Sequence, residues 1–163
     1  MADKQKIEAC LWFDTQAEEA ANFYVSVFKN SKVNSITRYG KAASEAAKRP
    51  EGSVLTVSFE LDGVPFLALN GGPIFKFTEA ISLIIACKDQ EEIDYFWNAL
   101  TADGGEESMC GWLKDKYGLS WQIVHENWEE ILSGDPVKAE KAMAALMHMR
   151  KIDMDEIEKA MQS

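Results

Sequence analysis

Two stretches of the chain alternate apolar and polar residues, and each is followed by a helical pattern. Residues 7–13 and residues 81–87 have this alternation and are rich in residues that favour strands. A capping box follows each stretch, with Thr15 three residues before a glutamate in the first case and Asp89 in the second. The pattern therefore predicts two strand-to-helix joints.

Each predicted helix has one apolar stripe. The stripes consist of Ala17, Ala20, Ala21, Tyr24, Val27 and Phe28 in the first helix, and of Ile93, Phe96, Trp97 and Leu100 in the second. Thr15 and Asp89 are 74 residues apart, and the same offset places Ile7 on Ile81. We interpret this as a duplicated strand–helix unit.

Further strands are predicted to complete each unit. Three follow the first helix, at residues 33–39, 53–61 and 64–69, and the Asp62-Gly63 pair is typical of a tight turn. Residues 40–52 are interpreted as a mobile surface loop or a short helix.

The second helix is followed by fewer strand patterns. Residues 108–113 and 119–124 are predicted to form one hairpin, so the second unit is expected to have one strand fewer than the first. Lys114 and Asp115, near its turn, are expected to be a solvated pair.

A helical tail is predicted to end the chain. We expect one domain over residues 1–163, with a first unit at about 6–72, a second at about 79–126 and the tail at about 128–162. The apolar stripes of the tail are Met143, Leu146 and Met147, then Met154, Ile157 and Met161. Because the sheets do not obviously need these helices, we predict a homodimer to which the tail contributes. The alternative is a monomer whose tail folds back on its own domain.

Strand alternation also assigns side chains to two faces. The face under the helix is expected to hold Ile7, Ala9, Leu11 and Phe13, then Leu67, Leu69, Ile81, Leu83 and Ile85, and finally Leu119, Trp121 and Ile123. Glu8, Cys10 and Trp12 then lie on the open face, as do Asn70, Ser82 and Gln122. The structural alternative for the polar residues is that they are rim residues bonded to neighbours or water.

Aromatic residues complete the predicted site. Trp12 and Trp112 suit a flat or apolar ligand, although a dimer contact or ordinary core packing would explain them equally well. Phe75 is a candidate lid or a packing residue. The predicted ligand site therefore consists of Glu8, Cys10, Trp12, Asn70, Phe75, Ser82, Trp112 and Gln122.

Composition narrows the possible partners. The chain has 27 acidic and 17 basic residues and a formal net charge of −10, so we expect neither nucleic acid nor membrane as a partner. We expect no signal peptide, and the cysteines Cys10, Cys87 and Cys110 form no C-x-x-C motif. These features favour a cytoplasmic protein with reduced thiols.

Several ordered motifs resemble the PhnB-like branch of the glyoxalase/bleomycin-resistance superfamily. They are CLWFD at 10–14, EEAANFY at 18–24, LALNGGP at 67–73, EAISL at 79–83 and CGWLKDKYGLSWQ at 110–122. The resemblance implies the vicinal-oxygen-chelate fold, an α+β fold in which paired βαβββ units build a cupped sheet. The helical tail resembles that of the subgroup named after demethylubiquinone methyltransferase.

The resemblance also suggests where a metal would bind. Metal-using members have ligands on the first and last strands of each unit, which correspond here to positions near Glu8, Asn70, Ser82 and Gln122. Glu8 alone is a charged ligand, whereas a transition metal usually needs about three imidazole, thiolate or carboxylate donors. We therefore predict neither a metal nor another cofactor.

We interpret the chain as a metal-independent small-molecule-binding protein whose ligand is unknown. An enzyme of the same superfamily, a lyase, isomerase or hydrolase acting on an oxygen-rich metabolite, is the first alternative, with Glu8 as the base. A methyltransferase is the second, but Asp14-Thr15-Gln16 after the first strand contains no glycine. Cys10 is not expected to be a nucleophile, because Glu8 would raise the pKa of its thiol.

Overall fold

The computed structural model describes residues 6–163, which divide into two units after Lys76. The first unit contains β1 (Ala9–Phe13), α1 (Ala17–Val27), β2 (Lys32–Arg38), α2 (Lys41–Ala47), β3 (Val54–Leu61) and β4 (Val64–Asn70). The second contains β5 (Ser82–Cys87), α3 (Gln90–Thr101), β6 (Glu106–Glu107), β7 (Trp112–Lys114), β8 (Ser120–His125), α4 (Trp128–Ser133), α5 (Pro136–Leu146) and α6 (Met154–Gln162).

The two sheets have the same topology. Their strand orders are β1-β4-β3-β2 and β5-β8-β7-β6. In each sheet the first and last strands of the unit run parallel, and the remaining neighbours are antiparallel. The ends of β1 and β5, Phe13 and Cys87, are 74 residues apart. This arrangement confirms the predicted α+β fold of paired βαβββ units followed by C-terminal helices.

The prediction that the second unit has one strand fewer was wrong. Glu106 and Glu107 form β6, which pairs antiparallel with β7. Two adjacent glutamates have no apolar alternation, so the period-two pattern could not show this strand. Part of the predicted strand at 108–113 is instead a turn, in which Cys110 and Gly111 have φ values of 60° and 80°.

The two helix starts differ in how they are capped. At α3 the predicted cap is confirmed, because the Asp89 carboxylate accepts a hydrogen bond of 2.9 Å from the Glu92 N–H. At α1 the predicted Thr15 cap was wrong. The helix begins at Ala17, whose N–H donates instead to the Asn70 side chain at 2.8 Å. The cap of α1 therefore comes from β4, 53 residues along the chain.

The predicted helix stripes are confirmed except at Phe28 and Phe96, which are only partly buried. The buried residues are Ala17, Ala20, Ala21, Tyr24 and Val27 in α1, and Ile93, Trp97 and Leu100 in α3. In the first strand, however, burial is restricted to Leu11 and Phe13, whereas Ile7 and Ala9 are exposed. Ile7 lies before β1 begins, and Ile81 likewise precedes β5 and is exposed.

Both predictions for the connections of the first unit are consistent with the structure. Asp62 and Gly63 have positive φ values of 47° and 77°, as a tight hairpin turn between β3 and β4 requires. Within residues 40–52 the short-helix alternative is observed, as α2.

The tail packs against the second unit. Its buried core, which we call the tail cluster, consists of Ala142, Leu146, Met149, Ile152 and Ile157, and Cys110, Val124, Met143, Met154 and Met161 pack partly against it. The Cys110 N–H donates to the Met149 carbonyl at 2.8 Å, and the Gly111 N–H donates to the Arg150 carbonyl at 2.7 Å. The tail thus folds back on its own unit, which covers much of the methionine stripes. Across residues 6–163, no helix combines the length and apolarity needed to cross a membrane.

Candidate functional site

Alternate residues of β1 lie on opposite faces of the first sheet. Leu11 and Phe13 are buried, so Cys10 and Trp12 lie on the open face, with the exposed Glu8 just before the strand. Partial burial of the Cys10 thiol raises its pKa, and the Glu8 carboxylate raises it further. A thiol with a raised pKa is a poor nucleophile at neutral pH.

The Gly71-Gly72 turn holds Trp12 in place. The indole Nε1–H donates to the Gly72 carbonyl at 2.8 Å, and the ring meets Phe75 edge to face with 4.9 Å between centroids. A Cβ on Gly71 would lie 2.1 Å from the indole ring, so only glycine allows this approach. Trp12 and Phe75 therefore form a fixed aromatic pair on the first unit, in which Phe75 is 61% exposed.

The predicted orientation of Asn70 was wrong. Asn70 pairs in the ladder with Phe13, is only 7% exposed and lies on the face beneath α1. Its Oδ1 accepts from the Ala17 N–H, and its Nδ2 donates to the Val54 carbonyl at 3.1 Å. Both ends of the amide are thus used inside the first unit, and Asn70 connects the helix to the sheet.

The same reversal applies along β4. Phe66 and Ala68 are buried, whereas Leu67 and Leu69 are only partly covered. Apolar residues stand on both faces of this strand, so hydrophobicity does not decide the parity, and the small Ala68 is the residue that fits beneath the helix. The register with β1 decides it instead, because Ala68 pairs with the buried Leu11.

In the second unit the structure brings three predicted residues together. Gln122 donates to the Ser82 hydroxyl at 2.8 Å, and Trp112 lies opposite Gln122 in the β7–β8 ladder. Trp121 and Ile123 are buried on the other face, as the alternation predicted. The open face of this sheet therefore combines an amide–hydroxyl pair with an aromatic side chain.

A cleft of about 450 Å³ opens beside β6 and β7. The lining residues that matter for its chemistry are Glu79, Glu106, Glu107, Trp112, Lys114 and Ser120. Of the predicted site residues, Trp112 lines this cleft. The others were not predicted as site residues, because Glu106 and Glu107 belong to the unpredicted strand β6 and Glu79 precedes β5.

The charges in the cleft are partly paired. Lys114 forms an ion pair with Glu79, and its hydrogen bond holds the pKa of the Glu79 carboxyl below the usual value. Glu107 accepts from the Trp97 indole at 2.9 Å and lies 3.6 Å from the Arg150 guanidinium. The side chain of Glu106 has neither an ion pair nor a hydrogen bond within the described residues.

The expectation that Lys114 and Asp115 form a solvated pair was wrong. Asp115 is only 2% exposed, and its carboxylate accepts from the Trp121 indole at 2.8 Å and from the Leu119 N–H at 3.1 Å. The carboxylate therefore organises the β7–β8 turn, which leaves Lys114 to pair with Glu79.

Ser120 is the most unusual polar residue of the cleft. It is 1% exposed, and its hydroxyl oxygen has no hydrogen-bond partner among residues 6–163. In the sheet it stands between Ser82 of β5 and Lys114 of β7. Ser120 is two residues before Gln122 in β8 and therefore lies on the same face, but its burial depends on the neighbouring strands and could not be inferred from one strand alone.

The residues present do not fit a transition-metal site. Asn70 is committed to the helix cap, and Ser82 and Gln122 bond to each other. Within the described range, no three His, Cys, Asp or Glu residues are grouped as a metal ion would require. A hydroxyl and an amide are weak donors for such ions.

The residues also do not fit S-adenosylmethionine as a parallel-sheet methyltransferase would hold it. Each sheet mixes parallel and antiparallel strands. The glycine-rich turn follows β4, and a Cβ on Gly72 would lie 2.4 Å from the Arg49 side chain, which is tied to Asp14 at 2.8 Å. This turn contacts the chain's own side chains and does not open a helix.

Comparisons with known proteins agree with the fold. The model of a family described as 3-demethylubiquinone-9 3-methyltransferase matches residues 5–124. A PhnB protein from Bacillus cereus is 38% identical, with a TM-score of 0.65 over 74% of this chain and 99% of that one. Protein PA1353 from Pseudomonas aeruginosa is 17% identical and shares the fold, with a TM-score of 0.60 over 76% of this chain and 98% of that one. No curated protein matches the chain.

The family match ends before α4, so it covers both βαβββ units and not the helical tail. It extends over more than two thirds of the chain, and the B. cereus protein matches over nearly its whole length. The chain therefore belongs to the 3-demethylubiquinone-9 3-methyltransferase family, the PhnB-like branch of the glyoxalase/bleomycin-resistance superfamily.

Proposed function

We propose that the protein binds a small organic molecule in the cleft of the second unit and needs no transition metal to do so. The observation that carries this proposal is Ser120, a residue in the lining of a cleft of about 450 Å³, whose buried hydroxyl has no hydrogen-bond partner within the described residues. Buried polar groups in native proteins are normally hydrogen-bonded. A ligand with a polar end would supply the missing partner.

The size and lining of the cleft support the same conclusion. Small-molecule sites have volumes of roughly 300–1,000 Å³ and combine apolar walls with a few polar groups. Trp112 supplies an aromatic wall of the cleft, and Glu79, Glu106 and Lys114 supply polar groups. On the first unit, Trp12 and Phe75 offer a separate aromatic surface.

A fragment screen by saturation-transfer NMR would test this proposal on protein treated with EDTA. We expect aromatic fragments to bind and Trp112→Ala to abolish most of their signals. Tyr95→Ala is the matched control, because Tyr95 is an exposed aromatic residue of the same unit that does not line the cleft. The proposal fails if no fragment binds, or if Trp112→Ala and Tyr95→Ala behave alike.

Metal independence has its own test. The predicted ligand positions supply one carboxylate, two amides and a hydroxyl, so we expect purified protein to contain well under one zinc, nickel or iron per chain. Elemental analysis measures this directly. One metal ion per chain, removed by EDTA together with fragment binding, would contradict the proposal.

We further propose that the protein is a cytoplasmic homodimer. Ile81 and Ile84 are 75% and 64% exposed, and exposed apolar surface favours association. The three free cysteines suit a reducing compartment. Light scattering at micromolar concentration should give twice the chain mass of 18.3 kDa, and a mass of one chain would refute the dimer.

A further inference from the structure

We propose that the ligand of this cleft carries a protonated amine, so that the site prefers organic ammonium compounds to neutral or anionic ones. This inference rests on the proposed function, because it concerns the same cleft. It is drawn from the charge of the lining and from the position of Ser120.

The lining is net negative. Three acidic residues, Glu79, Glu106 and Glu107, and one basic residue, Lys114, line the cleft. Lys114 neutralises Glu79, and Arg150 lies near Glu107. The hydrogen bond to Glu79 raises the pKa of Lys114, and the charge of Glu106 contributes to the same shift. The Glu106 carboxylate nevertheless forms no ion pair in the described part of the chain, so the lining keeps a net negative charge.

Ser120 is the second, independent indication of a ligand. The ladder places Ser120 opposite Lys114 and Lys114 opposite Glu106, so the three residues form one row across the open face. Because Lys114 is engaged by Glu79, the Glu106 carboxylate is left as an unpaired acceptor on one side of it, and the Ser120 hydroxyl, which can donate or accept, is left on the other. An ammonium group has three donors and no acceptor, so it suits an unpaired carboxylate and can also donate to a hydroxyl.

Trp112 suits the same class of ligand. It lines the cleft beside these groups, and tryptophan is the aromatic residue that best attracts a cation to its face. An apolar body attached to the amine would pack on the indole. A carboxylate ligand would instead meet the unpaired charge of Glu106 and find Lys114 already paired.

Three probes with one ring and different charges test the inference. Tryptamine is a cation, tryptophol is neutral and indole-3-acetate is an anion, and their dissociation constants can be measured by NMR titration at pH 7 and low salt. We expect tryptamine to bind about two- to fivefold more tightly than tryptophol, the range expected for one exposed charge pair. Indole-3-acetate should bind most weakly, and added salt should reduce the preference.

Three variants identify the groups responsible. Glu106→Gln should remove most of the preference for tryptamine. Ser120→Ala should weaken tryptamine binding at least threefold, and the variant should still fold because the hydroxyl has no hydrogen-bond partner to lose. Lys114→Met should strengthen tryptamine binding, since it removes the competing cation. Glu91→Gln is the control, an exposed acid on α3 outside the cleft.

Two results would overturn the inference, and they differ in what they mean for the proposed function. If indole-3-acetate binds in the cleft as tightly as tryptamine, the charge preference is wrong but the binding site stands. If Trp112→Ala changes the binding of none of the three probes, the charge preference and the proposed binding site are both wrong. A tryptamine preference that Glu106→Gln leaves unchanged also overturns the assignment.

Discussion

At Asn70, a single amide side chain joins a strand, a helix and a neighbouring strand of the first unit. The Asn70 side chain accepts from the Ala17 N–H at the start of α1 and donates to the Val54 carbonyl at the start of β3. The backbone carbonyl of Asn70 accepts from the Tyr39 hydroxyl at 2.7 Å. The alternation of side chains does not predict which face of the sheet Asn70 lies on, because β4 is apolar on both faces. Asn70 therefore stabilises the fold of the first unit.

Asn70→Ala should lower the free energy of unfolding by about 2–3 kcal/mol, because it leaves two backbone groups near the core without partners. Urea denaturation measures this loss. Asn22→Ala is the control, since Asn22 is an exposed residue of α1 that bonds only within its own helix, and it should cost less than about 0.5 kcal/mol. Equal losses in the two variants would contradict the role given to Asn70.

The thiols differ in reactivity for electrostatic reasons. Burial first, and nearby carboxylates second, raise the pKa of Cys87 to about 12, so its thiolate is scarce at neutral pH. Cys10 is exposed, and its pKa is raised partly by Glu8. Removing the Glu8 charge lowers that pKa and increases the thiolate fraction at any pH below it.

Glu8→Gln should therefore speed the alkylation of Cys10 by iodoacetamide at pH 8, as followed by peptide mass spectrometry. Glu45→Gln, an exposed acid on α2, should leave the rate unchanged. Cys87 should stay unmodified in the folded protein. A rate at Cys10 that is unchanged or slower in Glu8→Gln would show that the carboxylate does not act on this thiol.

At the scale of the elements, local patterns predicted what depends on local residues. The Asp89 box, the helix stripes and the Asp62-Gly63 turn are short-range features, and each is present in the structure. The cap of α1 and the docking of the tail depend on residues more than 30 positions apart in sequence, so no local pattern contains them. The strand β6 was not predicted, because its pairing with β7, and not its composition, makes it a strand.

The two helix starts give a matched comparison. Asp89→Ala removes a carboxylate that accepts from the Glu92 N–H, and should cost about 1 kcal/mol. Thr15→Ala should change stability by less than about 0.5 kcal/mol, because the Thr15 side chain does not cap α1. Urea denaturation of both variants checks the assignment, which fails if the two losses are equal.

The tail holds the turn that borders the cleft. Ile152 is fully buried in the tail cluster and lies against Gly111, where an added Cβ would be 3.1 Å from its side chain. Cys110, the neighbour of Gly111, lines the cleft and donates its N–H to the tail. The tail lies beyond the family match, so this contact is a feature of the present chain rather than of the matched region.

Ile152→Ala should destabilise the protein by about 2–4 kcal/mol through loss of burial and an added cavity. Met147→Ala, directly after α5, is the control, because Met147 is 57% exposed and its loss should cost less than about 1 kcal/mol. Thermal or urea unfolding measures the loss of stability in each of the two variants. A mild effect of Ile152→Ala would mean that the tail contributes little to the second unit.

At the scale of the whole molecule, the sequence predicted the family and the paired units because several motifs and a repeat agreed with one another. The site was predicted less completely. Ser82, Gln122 and Trp112 do come together, but the cleft depends on Glu79, Glu106, Lys114 and Ser120, whose positions follow from strand pairing. A ligand site made of residues on different strands needs the register before it can be recognised.

The protein is proposed to bind a small molecule in the cleft of the second unit without a metal. The most direct measurement is a ¹⁵N NMR titration of EDTA-treated protein with tryptophol, a neutral probe whose binding does not depend on the preference for amines. Saturable shifts should appear at the backbone amides of Trp112, Lys114 and Ser120. No saturable shifts, or shifts confined to Cys10 and Trp12 of the first unit, would contradict the claim.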